Sequence, residues 1–200
     1  MPLGVTLIFN VIYFHADSFI LAVTRPTTEV GIYGLAYKFF EFTLVVPTFF
    51  MNAVLPILVD ADAKRDQALF RRQSIKSALF LSGVSVCMMA SGYIFAPFVS
   101  LIRQDFGASV LPLRILLLSL PVFYLTNVTM WIMVVKKMQK MLLSIYGTMM
   151  CINIVTNIIL IPVYGYVAAA WVTVVSELLI FCASLVVLWT HDKTRGINPV

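Results

Sequence analysis

Long apolar blocks separated by short polar connections make up almost the whole chain. Six of them reach the roughly 20 mainly apolar residues that a membrane-spanning helix requires. The blocks lie at about 2–23, 30–58, 77–99, 110–135, 141–163 and 165–189. A transmembrane β-barrel would show shorter segments of alternating polarity. The pattern therefore predicts an all-α, polytopic membrane protein, with a single transmembrane domain over residues 1–200 that forms a six-helix bundle.

The composition is that of a membrane protein. Of the 200 residues, 61% are hydrophobic and only 12% are charged, whereas a soluble domain is about half apolar and about a quarter charged. The first block has no basic start and no small-residue cleavage site, so we expect a retained helix instead of a signal peptide. The three cysteines lie in separate blocks without metal-ligand spacing, and we predict neither a metal site nor a cofactor.

Basic residues alternate along the connections and predict the orientation. The connections after the second and fourth blocks and the tail after the sixth are basic, whereas the other connections carry little positive charge. Cytoplasmic loops carry the excess of Lys and Arg, so we expect both termini on the cytoplasmic side of an inner (plasma) membrane. Topology and contact with anionic membrane lipid then account for the net charge of +5, and no nucleic-acid partner is predicted.

Ionisable side chains inside the apolar blocks are the clearest functional signal. A charge in the hydrocarbon core costs about 2.5–3.5 kcal/mol on insertion scales, and such residues usually line a polar path for an ion or a substrate. Asp17, Lys38, Glu41 and Glu177 are of this kind, and His15 lies close to the first of them. These residues predict a transporter.

Polar side chains also form stripes on individual helices. In the second block the stripe consists of Lys38, Glu41, Thr48 and Asn52, which fall within an arc of roughly 80° at about 100° per residue. In the first block one face carries Asn10, Tyr13 and Asp17, by their i, i+3 and i+7 spacing. We expect both stripes to face the protein interior.

The depths of three charged residues predict a cluster. Asp17 lies roughly 9 Å from the outer end of the first block, and Lys38 lies roughly 12 Å into the second. Glu41 follows one turn later on the same face. We therefore expect a carboxylate–amine–carboxylate cluster on one interior surface, with Phe39 and Phe50 facing elsewhere. Such a cluster is either an ion pair that fixes helix packing or a site that handles substrate or protons.

Other polar and helix-breaking residues predict local features. In the fifth and sixth blocks, Asn153 with Asn157 and Thr173 with Glu177 are i, i+4 pairs, and hydrogen bonds between helices are the simplest role for the Asn and Thr residues. Three prolines inside blocks should bend their helices: Pro47, Pro112 and Pro121. The charged stretch 60–76 is a candidate for a short interfacial helix.

The junction of the last two blocks carries a motif. It reads Asn157-Ile-Ile-Leu-Ile-Pro162-Val-Tyr164-Gly165-Tyr-Val-Ala168-Ala-Ala, followed by Thr173 and Glu177. This resembles the N-x-x-L-I-P-x-Y-G-x-x-G-A-A…T…E signature of the Wzx-type oligosaccharide flippases, within the multidrug/oligosaccharidyl-lipid/polysaccharide exporter superfamily. We expect Pro162 and Gly165 to form a very tight outer turn. Ala168 departs from the glycine that is usual there.

Three further segments are similar to the same family. The segment Tyr13-Phe-His15-Ala-Asp17-Ser resembles Y-F-R-I-D-S, with His15 in place of the common arginine. The segment from Gly31 to Lys38 matches G-x-Y-x-x-A-x-K, and the segment that begins at Leu113 resembles L-R-I-L. Together the motifs cover nearly the whole chain in the family's order.

The resemblance implies the C-terminal six-helix lobe of a two-lobe, MATE-like transporter whose N-terminal lobe is missing from the chain. The expected substrate is a lipid-linked oligosaccharide (a polyprenyl pyrophosphate glycan) for cell-surface polysaccharide such as lipopolysaccharide O-antigen, moved by a flippase and coupled to H⁺ or Na⁺. The expected transport residues are Lys38, Glu41, Asp17, Asn52, Asn10 and Glu177.

Other functions stay open on the sequence. A related drug exporter or peptidoglycan-precursor exporter shares the same architecture. A non-transporting half-lobe or assembly subunit is a further possibility. A membrane enzyme that acts on polyprenyl phosphates would need a metal, for which only Asp60 and Asp62 are suitably placed, so we do not expect an enzyme.

Overall fold

The fold is helical throughout residues 15–98 and 104–197, the ranges that the computed structural model describes. Its helices are α1 (residues 15–24), α2 (Thr27–Ala63), α3 (Gln67–Phe95), α4 (Val110–Leu118), α5 (Leu120–Val135), α6 (Gln139–Tyr164) and α7 (Tyr166–Ile197). Two short 3-10 segments, Ala96–Phe98 and Gln104–Ser109, lie between α3 and α4. No strand occurs in the described ranges. The all-α prediction is confirmed, while most of the first apolar block lies outside these ranges.

The helix lengths suit a bilayer. Four helices, namely α2, α3, α6 and α7, are long and apolar enough to cross a membrane. The pair α4–α5 makes a fifth candidate span, bent by 43° at its break. Pro121 lies at the start of α5, directly after this break, where its missing N–H and its fixed φ suit the beginning of a helix and not the middle of one. The predicted bend at Pro121 is therefore confirmed.

The other two predicted bends differ from this one. Pro112 lies in the first turn of α4, where proline is tolerated because the first amides of a helix have no intrahelical acceptor. Pro112 therefore lies at the start of a helix and not in the middle of one, where the sequence analysis expected it. Pro47 is buried inside α2, and the helix continues past it to Ala63.

The connection between α2 and α3 is shorter than the sequence predicts. The expected interfacial helix over 60–76 is wrong, because α2 continues to Ala63 and α3 already begins at Gln67. Asp66 caps α3 by accepting a hydrogen bond from the Leu69 amide at 2.9 Å, a typical N-cap arrangement. The ammonium of Lys64 donates to the carboxylate of Asp60 at 2.8 Å, and this hydrogen bond raises the pKa of Lys64.

At one end of the bundle the α6–α7 turn packs against the α1–α2 turn. Gly165 is the single residue between α6 and α7 and has a φ of 63°, which glycine adopts readily. The guanidinium of Arg25 forms an ion pair with Glu29 at 2.8 Å and donates to the Pro162 carbonyl at 3.4 Å. The tight turn predicted from Pro162 and Gly165 is therefore present.

Two basic turns meet at the other end of the bundle. The ammonium of Lys136, just after α5, lies 5.7 Å from the centre of the Phe70 ring near the start of α3. This contact brings the α2–α3 and α5–α6 connections together, as expected if basic connections share one side of a membrane. Which side this end faces stays a prediction.

The core lies between the helices, and large apolar side chains also cover the outside. Tyr33, Phe40, Leu58 and Tyr124 are completely buried or nearly so. Small side chains at 168–170 are buried where α7 packs, and small residues allow close approach of membrane helices. Exposed apolar side chains include Phe19, Phe49, Ile94, Val163 and Trp189. This distribution suits a bundle surrounded by lipid, where apolar residues need not be buried by protein.

Candidate transport site

Asp17 forms a buried junction of three helices. Its side chain is 2% exposed, and its carboxylate accepts hydrogen bonds from the Tyr33 hydroxyl of α2 and the Thr173 hydroxyl of α7, the latter at 3.3 Å. The Ser18 amide donates to the other carboxylate oxygen at 2.6 Å. A buried carboxylate requires such partners because unpaired polar groups are costly in a low-dielectric interior. Asp17 therefore holds α1, α2 and α7 together.

The predicted pairing of Asp17 with Lys38 is wrong. Helix α2 begins at Thr27, three residues before the expected start, so Lys38 lies about 16 Å along α2 and not about 12 Å. Asp17 lies about 10 Å from the end of α1, close to the depth of Tyr33, about 9 Å into α2. Tyr33 thus takes the position that the sequence analysis gave to Lys38. The cluster does not share one interior surface, because Asp17 is buried while the Lys38 side chain is 78% exposed.

Lys38 pairs instead with Glu41 on its own helix. The Lys38 Nζ lies 3.2 Å from a Glu41 carboxylate oxygen, an i, i+3 ion pair. The other Glu41 oxygen lies 4.0 Å from His15 Nε2 of α1. Glu41 is therefore placed between one permanent cation and one side chain that gains a charge on protonation.

A groove of about 740 Å³ runs beside this pair, between α2, α5, α6 and α7. Its polar lining residues include Lys38, Glu41, Thr48, Thr126, Asn127, Tyr146 and Glu177, and its aromatic ones Phe42, Phe49, Phe123 and Trp131. The volume is in the range of pockets that hold drug-sized molecules. The groove thus combines one charged edge with a mostly apolar, aromatic surface.

Glu177 belongs to this groove and not to the Asp17 junction. It is 3% exposed and lines the groove together with Tyr146 of α6. Glu177 and Lys38 each lie eleven residues beyond the first residue of their helices, Tyr166 and Thr27, which is about 16 Å from the same end of the bundle. Two polar layers result: one at Asp17, away from the groove, and a deeper one at Lys38, Glu41 and Glu177, which line the groove.

The remaining predicted residues are placed as follows. Asn52 is exposed and is not among the groove residues, so the polar stripe of α2 contributes to the groove only as far as Thr48. Phe39 lines a second, smaller groove of about 300 Å³ on the other side of α2, and Phe50 stacks on Phe80 of α3 with ring centres 4.8 Å apart. Asn10 lies outside the described residues.

Polar side chains also join α6 to α7. The Asn153 amide donates to the Ser176 hydroxyl at 3.0 Å, and the Asn157 amide donates to the Asn153 side-chain oxygen at 2.9 Å. All three side chains are buried. The predicted hydrogen bonding between helices is confirmed for Asn153, whereas the hydrogen bond of Asn157 lies within α6.

The comparisons with known proteins agree with this architecture. The family model MatE matches residues 2–163 of the chain, which is most of its length. The chain belongs to the MatE family. No curated protein and no solved structure gives a significant match. The family consists of membrane transporters of the multidrug/oligosaccharidyl-lipid/polysaccharide exporter superfamily, so the transporter prediction is confirmed at that level.

Several residues of the Asp17 junction and of the groove in this MatE protein were missed by the sequence analysis. Tyr33 looks like an ordinary core aromatic, and Tyr146 lies among apolar neighbours. Asn127 and Trp131, however, are spaced i, i+4 within an apolar helix. The same angular analysis that was applied to α2 would have placed them on one face.

The enzyme alternative gains no support from this MatE structure. The Asp60 carboxylate is paired with the Lys64 ammonium at 2.8 Å. Within residues 15–98 and 104–197, no three His, Cys, Asp or Glu side chains come together as a metal site would require.

Proposed function

We propose that this MatE protein translocates a lipid-linked oligosaccharide across the cytoplasmic membrane for cell-surface polysaccharide biosynthesis, with the chain as the second of two lobes. The observation that carries the proposal is the position of Lys38. Its ammonium lies exposed at the edge of an apolar, aromatic groove, in the middle of a helix long enough to span the membrane.

Contact with lipid would be unfavourable for the face of α2 that carries Lys38. An ammonium group at that depth would cost about 2.5–3.5 kcal/mol in hydrocarbon, so the groove side of α2 is expected to face water or another lobe. Phe42 and Phe49 line the same groove and offer apolar surface next to the charge. A surface of this kind fits an amphiphile that has an anionic group between an apolar tail and a polar head.

The charges at the groove edge suit a pyrophosphate. Lys38 and His15 flank Glu41 at 3.2 and 4.0 Å, and the three side chains carry a net charge of +1 when His15 is protonated. An anionic substrate would compete with Glu41 for Lys38, because ammonium groups bind phosphate oxygens through charge-assisted hydrogen bonds. Release of Glu41 would free it to take up an inward-moving H⁺ or Na⁺.

Alternating access would then be coupled to the acidic residues. We infer that Glu41 and Glu177, which both line the groove, exchange an ion with the solvent, whereas Asp17 is shielded by its hydrogen bonds and mainly positions α1. The expected location is the inner membrane with both termini cytoplasmic, as the basic connections indicate.

A drug exporter is the second candidate, favoured by the aromatic lining of the groove. Phe123, Trp131 and Tyr146, together with Glu177, would suit a cationic, aromatic compound. Lys38 separates the two candidates, because its positive charge repels a cationic drug and attracts a pyrophosphate.

Substitution of Lys38 tests the proposal in the full-length protein. Lys38→Ala should lower glycan translocation by at least about tenfold, the effect of about 1.4 kcal/mol, and Lys38→Arg should retain part of the activity. Lys64→Ala, at an exposed ion pair in a turn, is the matched control and should transport normally.

A double substitution separates binding from packing. If Lys38 only neutralises Glu41, then Lys38→Ala combined with Glu41→Gln removes both charges and should restore binding of the glycan lipid, a readout that does not require ion uptake by Glu41. If Lys38 binds the anionic head group, the double variant should still fail to bind that lipid while it is inserted and folded normally. Full transport by Lys38→Ala alone would contradict the proposal, and a gain in drug export by that variant would favour the drug exporter.

A further inference from the structure

Two residues that line the groove each carry a buried polar atom without a hydrogen-bond partner among the described residues. These atoms are the side-chain oxygen of Asn127, an acceptor, and the indole nitrogen of Trp131, a donor. Both residues lie on α5 and line the groove. Buried polar groups in proteins are nearly always paired, and an unpaired one calls for an explanation. An unpaired donor and an unpaired acceptor on one wall of a cavity point to a ligand that supplies the missing partners.

The spacing of the two residues places them side by side. Asn127 and Trp131 are separated by four positions, so they lie on the same face of α5 with Cβ atoms about 5–6 Å apart. A ligand that bridges them must donate to Asn127 and accept from Trp131. Hydroxyl groups do both, and neighbouring hydroxyls on one ring span a distance of this order.

Charged ligands match the pair less well. A phosphate oxygen accepts from the indole N–H but is repelled by the carbonyl oxygen of Asn127. An ammonium donates to Asn127 but leaves the indole N–H of Trp131 unpaired. A neutral, hydroxylated group satisfies both atoms, and the ring of Trp131 provides apolar area for the C–H face of a sugar ring.

We propose that Asn127 and Trp131 form a specificity-determining subsite for a neutral sugar unit of the transported molecule. This inference rests on the proposed function and extends it. Lys38, on α2, would bind the charged pyrophosphate, while α5, on the facing wall of the same groove, would bind the sugar next to it. The two walls of the groove would thus bind two different parts of one substrate.

Paired probe lipids test the subsite. The full-length protein is purified in detergent, and its affinity is measured for farnesyl pyrophosphate and for the same lipid carrying one N-acetylglucosamine on the pyrophosphate. Trp131→Phe keeps an aromatic side chain, with a smaller ring, but removes the N–H, and Asn127→Leu removes the acceptor at similar size. Each should weaken binding of the sugar-bearing lipid by about tenfold, the loss of one net hydrogen bond, and should leave the affinity for farnesyl pyrophosphate unchanged.

Two controls accompany the binding assay. Trp171→Phe, at an exposed tryptophan of α7 that is not a groove residue, should not change either affinity, whereas Lys38→Ala should weaken both. Because the Asn127 oxygen has no partner among the described residues, Asn127→Leu should not lower the thermal midpoint in the absence of lipid. A lowered midpoint would show a structural role and would overturn the subsite.

The outcomes of the binding assay also distinguish the two proposals. If wild type binds both lipids equally, or if the α5 variants weaken both lipids alike, the sugar subsite is wrong while the pyrophosphate site at Lys38 stands. If wild type binds neither lipid, the proposed function fails and the subsite fails with it. Selective loss of the sugar-bearing lipid in both α5 variants is the result that supports the inference.

Discussion

The carboxylate of Asp17 accepts a hydrogen bond from the Thr173 hydroxyl at 3.3 Å and so joins α1 to α7 across 156 residues of sequence. Tyr33 of α2 donates to the same oxygen. Buried polar networks of this kind stabilise one arrangement of helices because the loss of any partner leaves another group unsatisfied. The groove at Lys38 lies one to two turns deeper, so its shape depends on this junction.

Removal of the Tyr33 hydroxyl should destabilise the bundle. Tyr33→Phe keeps the buried ring and leaves the Asp17 carboxylate with one donor fewer, at an expected cost of about 1–3 kcal/mol. For a chain of this size, that corresponds to a fall of about 2–4 °C in the unfolding midpoint per kcal/mol. Thermal unfolding in detergent, followed by loss of the monodisperse species, measures the effect.

The control is the removal of a tyrosine hydroxyl at an exposed position. Tyr164 is 67% exposed at the end of α6, so Tyr164→Phe should leave the midpoint unchanged. Equal midpoints for Tyr33→Phe and wild type would show that the hydroxyl contributes nothing to stability, contrary to the geometry.

Asp17 shows how much of the site can be predicted from the sequence. Its charge within an apolar block predicts that it has a partner, and the structure provides two side-chain donors. The identity of these donors depends on where α2 begins, and an error of three residues moves a side chain by about 4–5 Å along the helix axis. With this shift, Tyr33 and not Lys38 lies at the depth of Asp17. Hydropathy does not define a helix start this closely, because Thr27 and Thr28 are helical but not apolar.

Cavity residues were predictable where they carry charge or, like Thr48, belong to the polar stripe of α2. Lys38, Glu41 and Glu177 stand out in apolar sequence, and all three line the groove. Asn127 and Trp131 become significant only once their unpaired atoms are known, which requires the packing of α5 against its neighbours. Asn52 shows the converse, since it lies on the polar stripe of α2 but is exposed outside the groove.

Cysteine accessibility should establish the orientation. Thr27 and Gln67 are both exposed and begin α2 and α3 at opposite ends of the bundle. In intact cells, a membrane-impermeant thiol reagent should label Thr27→Cys directly and Gln67→Cys only after permeabilisation. The reverse labelling pattern would place the basic turns outside and contradict the predicted topology.

The native cysteines must be replaced before this experiment. Cys87, Cys151 and Cys182 are all exposed on the surface of the bundle. A variant with serine at these positions, without any added cysteine, should give no labelling in intact or permeabilised cells.

The hydrogen bonds between α6 and α7 make a further prediction. Asn153→Leu is close in size but leaves the Asn157 amide without its acceptor and the Ser176 hydroxyl without its donor. Hydrogen bonds between membrane helices contribute about 0.6 kcal/mol on average and up to about 1.7, so we expect a loss of about 1–2 kcal/mol. Ile158→Leu, at an exposed position of the same helix, is the control. Unchanged unfolding of Asn153→Leu would contradict a stabilising role.

Gly165→Ala should be among the most damaging single-methyl changes in the chain. The residue has a φ of 63° and a ψ of −148°, a conformation that side chains other than glycine rarely adopt and that costs about 1–3 kcal/mol. An added Cβ would also lie 2.5 Å from a Glu29 carboxylate oxygen and 3.1 Å from an Arg25 nitrogen. We therefore expect a lower unfolding midpoint, disruption of the Arg25–Glu29 ion pair and loss of the Arg25–Pro162 contact between the two turns.

Two variants separate the backbone effect from the side-chain clash. Gly31→Ala adds the same methyl where nothing lies within 4 Å, and it should be neutral or slightly stabilising, as alanine is in helices. Glu29→Ala combined with Gly165→Ala removes the nearest clashing atom but keeps the positive φ. If the backbone conformation dominates, this double variant stays at least as unstable as Gly165→Ala alone. A midpoint restored to that of Glu29→Ala would show that the clash accounts for the whole loss, and that alanine can adopt the conformation of this turn.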